Sequence, residues 1–172
     1  GTTAKVHLAL NGLPEWKGRP SLKAEYIRTG EYFDQMERAF DAVKYREFSA
    51  EPILDMYVPT LEAPELAPNG KHVLSIQVHF APHNHDGGWT EAKREALYET
   101  TLKTLEQYAP GVRDLIVGKE VLTPVDLESR YNLTGGHLHH GEHAADQLLV
   151  RPTPECSRYA TPYPGLFLCG SG

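Results

Sequence analysis

The stretch Gly135-Gly136-His137-Leu138-His139-His140-Gly141-Glu142 is the densest chemistry in this chain. Paired glycines let a backbone pass close to a flat ligand, and imidazole titrates near neutral pH. His140 and Glu142 can orient one another by a hydrogen bond and tune a nearby proton, which makes them the candidate acid–base pair. A turn whose side chains cap local backbone groups accounts for the same residues without chemistry. A second glycine cluster, Gly170-Ser171-Gly172, follows the apolar run 166–169. That order reads as a buried strand delivering a glycine turn, the arrangement by which a backbone approaches a phosphate, or as a strand with a flexible tail.

Other reactive side chains are weighed against plainer roles. The chain has nine histidines, with His72, His79, His83 and His85 in one cluster and His137, His139 and His140 in another. Their spacing matches neither H-E-x-x-H nor a Cys/His zinc site, so no metal ligand is assigned. A stand-alone module that holds a metal or small ligand on these histidines is the alternative function. There is no G-x-S-x-G nucleophile elbow. Asp126 and Glu128 sit where helix capping and the helix dipole explain them. Arg151-Pro152 reads as a loop closure, and Lys5 and His7 fall on the less apolar face of a strand, lining a cavity or simply wet.

The elements that must position these groups follow from periodicity. Residues 4–10 alternate with Ala4, Val6, Leu8 and Leu10 on one face, a half-buried strand. Residues 31–44 place Tyr32, Phe33, Met36, Ala39, Phe40 and Val43 at helical spacing, which predicts an amphipathic helix whose aromatics enter the core. Strands are predicted over 53–58, 72–80 and 115–122. A long helix starts at a Thr90 N-cap and stops at Pro110-Gly111, and a short one starts at Thr123-Pro124. Too few helices separate the strands for a doubly wound sheet. The fold class is therefore α+β, an antiparallel or mixed sheet with helices packed on one side.

At 172 residues the chain can bury one sizeable core. Its net charge of -6 and lack of a basic run argue against a nucleic-acid partner. No stretch reaches the roughly 18 apolar residues of a membrane span, and no charged-then-apolar leader is visible. The expected setting is cytoplasmic, or the mitochondrial matrix in a eukaryote. Cys156 and Cys169 are too few for a disulfide framework, and Cys169 reads as a small buried residue.

The stretch from Thr123-Pro-Val-Asp-Leu-Glu through Gly135-Gly136 to His140-Gly-Glu142, then Asp146-Gln-Leu-Leu, Arg151-Pro152 and Gly165-Leu-Phe-Leu-Cys-Gly-Ser-Gly172, resembles the phytoene dehydrogenase-like FAD-dependent oxidoreductases. The likeness is to their branch of pyridine nucleotide-disulfide oxidoreductase domain proteins. The opening strand around Ala4-Lys-Val-His-Leu-Ala-Leu-Asn-Gly12 is similar to the start of that family's substrate domain. His139 stands where the family usually carries an aromatic residue. The resemblance implies a two-domain flavoprotein in which residues 1–165 form the substrate-binding domain and 166–172 begin the segment returning to the FAD-binding domain. It implies that the 135–142 loop approaches flavin and substrate, with Gly135, Gly136, Gly170, Ser171 and Gly172 near the cofactor. It further implies FAD in the intact parent and a small apolar substrate. The chain has no G-x-G-x-x-G dinucleotide motif, so no FAD binding or activity is expected of this segment alone.

Overall fold

The computed structural model describes residues 2–139 and 144–170. Its centre is a five-stranded sheet of order β2-β3-β4-β1-β5, formed by β1 (Thr3–Leu10), β2 (Tyr26–Arg28), β3 (Leu54–Tyr57), β4 (His72–His79) and β5 (Ile116–Leu122). All neighbouring pairs are antiparallel. The α+β expectation holds, and the sheet is antiparallel rather than mixed. Strand phase follows the sequence alternation: Ala4, Val6, Leu8 and Leu10 of β1 and Leu74, Ile76 and Val78 of β4 are fully buried on one face. That face packs on α2 (Glu91–Tyr108), which brings Leu97, Tyr98, Leu102 and Leu105 into the same core cluster. The Thr90 side chain accepts from the Lys93 N–H, as expected of the N-cap.

Three expectations need correction. The α1 helix (Phe33–Lys44) forms, but its aromatic stripe does not enter the core: Phe33 is 75% exposed and Ala39 alone of the helix is buried. The α2 side chains already fill the apolar sheet face, so α1 packs through small Ala39 and through an edge contact of Phe40 on Phe80 at 5.5 Å. Phe80 itself leaves the strand alternation, because its φ of +61° turns the chain at the end of β4. The run 166–169 is not a buried strand: Phe167 is 70% exposed and makes an isolated bridge to Ala160, and Cys169 is exposed. No edge of the five-stranded sheet receives this run, and an apolar strand is buried only where a partner surface exists.

After β5 the chain enters α4 (Pro124–Tyr131) through a reciprocal cap. Thr123 Oγ1 accepts from the Asp126 N–H, and Asp126 Oδ2 accepts from the Thr123 N–H at 2.8 Å. Arg94 of α2 clamps Asp126 with both guanidinium nitrogens, one of them at 3.0 Å, and so ties this cap to the core helix. A short α3 (Val112–Leu115) precedes β5, where the sequence pattern had the strand begin at 115. No helix of the described residues is long and apolar enough to cross a membrane.

Candidate functional site

Strand register builds the site on the sheet face opposite the core. Lys5 of β1 pairs with Gln77 of β4, Gln77 with Asp55 of β3, and Asp55 with Arg28 of β2, so four polar residues form one row across four strands. The adjacent row is His7, Ser75, Tyr57 and Tyr26. Paired residues in a sheet project to the same side, which concentrates these groups on one surface. All of them but His7 line a cavity of about 360 Å³ together with His79 and with His139 from the glycine motif.

Asp55 is the centre of the row. Arg28 donates to it from Nε at 2.5 Å and from Nη2 at 2.6 Å, and His79 Nε2 lies 2.8 Å from its Oδ2. Burial alone would raise the Asp55 pKa, but hydrogen bonds from Arg28, His79 and Tyr26 outweigh it and hold the carboxyl down to about 2. With Asp55 ionised, His79 donates to it from Nε2. Burial lowers the pKa of Lys5 against the pull of Asp55, and burial followed by the Lys5 charge lowers that of His7.

The glycine motif is positioned by α4. Glu128 Oε1 accepts from the Gly135 N–H at 2.8 Å, and its Oε2 lies 2.6 Å from His83 Nε2. The two glycines then diverge in use. A Cβ on Gly136 would lie 2.1 Å from the Pro124 carbonyl oxygen, whereas a Cβ on Gly135 would meet nothing within 4 Å. The missing side chain of Gly136 is thus spent on packing against the start of α4. Gly135 keeps an open backbone face with room for a flat ring to approach. His137 and His139 lie ring to ring at 6.2 Å. His140 and Glu142, the candidate acid–base pair, lie outside the described residues, as do Ser171 and Gly172. Gly170 is exposed at φ +91°.

The remaining histidines have separate partners rather than a common centre. His72 Nδ1 is 2.9 Å from Thr60 Oγ1. His85 is buried between Trp89 and Phe48, and its Nε2 lies 3.2 Å from Glu47 without hydrogen-bond alignment. No group of three or more His, Cys, Asp or Glu among the described residues is placed to hold a metal. Arg151 closes its loop by donating to the Gln147 and Leu148 carbonyls. A larger cavity, about 440 Å³, lies between α1 and α2 and is lined by Thr29, Arg38, Glu51, Thr104 and Gln107. The sheet-face cavity is the better candidate despite its smaller size, because it joins the Asp55–His79 pair to the glycine motif. Sequence reasoning missed Arg28, Asp55 and His79. Alternation put His79 on the less apolar face of its strand, but the register that brings it to Asp55 is a property of the assembled sheet.

An α+β domain with a polar sheet face and a capped glycine loop is the class that this geometry defines. No protein-family model matches the chain. It is similar to the proteins named pyridine nucleotide-disulfide oxidoreductase domain-containing protein 2 of Rattus norvegicus, with 32% identity, and of Mus musculus, with 31% identity, each over 180 residues and 98% of this chain. The chain spans 31% of the length of each of these relatives. It is also 31% identical over 112 residues to a Methylomonas protein named 4,4'-diapolycopene oxygenase, covering 63% of this chain and 22% of that protein. The relatives are thus named as oxidoreductase-domain proteins or as an oxygenase.

Proposed function

We infer that this chain is the substrate-side domain of an FAD-dependent oxidoreductase related to the phytoene dehydrogenases, inactive alone and completed by an FAD-binding domain elsewhere in a longer polypeptide. The observation that carries this reading is the meeting of His139, from the motif that resembles the flavoprotein family, with the polar sheet face in one cavity. The names of the relatives and the small share of their length that the chain spans support it. FAD, when bound, supplies the capacity to accept a hydride equivalent from the substrate. The chain's own residues bind and orient that substrate. Tyr26 and Tyr57 offer ring faces to an apolar body, and Asp55, itself held by Arg28, holds His79 beside it. In this reading Gly135 and Gly136 carry the loop past the cofactor, with Gly135 presenting its open face. Gly170, Ser171 and Gly172 lead the chain back toward it, and His140 with Glu142 moves the proton. The protein works in the cytoplasm or a mitochondrial matrix.

The test is turnover of the full-length protein carrying His140→Ala. Acid–base groups contribute roughly 10²- to 10⁴-fold to rate, and a loss in that range with an unchanged unfolding midpoint is expected. Turnover unchanged within about two-fold, far below that range, removes His140 from the chemistry.

A further inference from the structure

Among the described residues, the acidic and basic side chains of the polar sheet face other than Lys5 and His7 have partners. Arg28 and His79 are held by Asp55, and Glu120, next along β5 from the end of the row, pairs with Arg130 at 2.7 Å. Lys5 projects into the same cavity, half-buried, and makes no hydrogen bond or ion pair among the described residues. Glu120, diagonal to it on β5, is held by Arg130, and Asp55 lies two strands away, or roughly 10 Å between backbones at normal strand spacing. Asp55 is already occupied by Arg28, His79 and Tyr26 and makes no ion pair with Lys5 across Gln77. The row therefore carries two cations against one anion, an excess of a single positive charge that faces the cavity. A half-buried ammonium without a counter-ion is costly, and a ligand that brings one negative charge removes the cost.

We propose that Lys5 recognises the carboxylate of the substrate, with Gln77 and Ser75 as neutral neighbours that hydrogen-bond it. The inference rests on reading this cavity as the substrate side of the enzyme. The charge count selects a monoanion: a phosphate dianion would leave a net negative charge beside ionised Asp55. The ligand is then an acid with an apolar body, its carboxylate on Lys5 and its chain along the tyrosine row.

Hexanoate titrated into the full-length protein by calorimetry, with hexanamide as the uncharged counterpart, tests this without reading flavin at all. Charge-assisted hydrogen bonds are about twice as strong as neutral ones, so hexanamide is expected to bind at least about 10-fold more weakly. Lys5→Met should bring hexanoate down to the amide's level, and Lys5→Arg should keep it within about three-fold, because the charge is retained. Inorganic phosphate should not displace hexanoate. Equal binding of acid and amide, indifference to Lys5→Met, or displacement by equimolar phosphate would each overturn the assignment. If the protein holds flavin but hexanoate ignores Lys5, the carboxylate proposal alone fails. If hexanoate depends on Lys5 but no flavin is held, the flavin reading fails.

Discussion

Gly135 and Gly136 share a left-handed backbone, at φ +64° and +66°, and differ in everything around them. A side chain on either suffers the left-handed penalty of about 1–2 kcal/mol. On Gly136 it also runs into the Pro124 backbone, which belongs to the first turn of α4 and cannot yield as a flexible side chain would. Gly136→Ala should therefore lower stability in urea by at least about 3 kcal/mol, and Gly135→Ala by no more than about 2 kcal/mol. Equal losses for the two variants would mean that the close approach to Pro124 is wrong. The consequence for function is a division of labour within one motif: Gly136 builds the turn, and Gly135 is the glycine with room for a ligand.

At the scale of elements, what the sequence reveals is whatever local spacing controls. The Thr123–Asp126 cap, the Thr90 cap and the core phase of β1 and β4 depend on residues a few positions apart, and they form as the pattern predicts. Glu128 was legible as a helix-end carboxylate but not as the anchor of Gly135 and His83, contacts that arise when the chain folds back past α4. The exposed stripe of α1 and the exposed run 166–169 show the opposite limit, since apolar periodicity states a need for cover and not whether cover is supplied. Strand β2, three residues long, has almost no periodicity to read and is held at the sheet edge by Arg28 on Asp55. That tie has a pH signature. The folded Asp55 pKa of about 2 lies below the ordinary value near 3.9, so its stabilisation is complete above pH of about 4 and is lost as pH falls toward 2. Asp55→Asn should cost about 1 kcal/mol at neutral pH, given the exposure of Arg28, and should speed amide exchange in Ile27 and Arg28. It should also flatten the acid limb of the stability curve between pH of about 4 and 2. An acid limb identical to that of the unmodified protein would take Asp55 out of this role.

For the whole molecule, the fold places the Arg28–Asp55–His79 cluster on one face of the sheet, and the other face is sealed by α2. The described residues supply a polar sheet face and a glycine loop. The chain has no G-x-G-x-x-G turn to hold a pyrophosphate against a helix N-terminus. In the proposed function the cofactor is bound by another part of a longer polypeptide. Titration of FAD into the full-length protein and into residues 1–172 alone, followed by calorimetry and by the visible flavin spectrum, tests that division most directly. The account predicts stoichiometric flavin in the full-length protein and no measurable binding to the 172-residue chain. A full-length protein that binds no FAD, or a 172-residue chain that binds it at micromolar concentration, would contradict it.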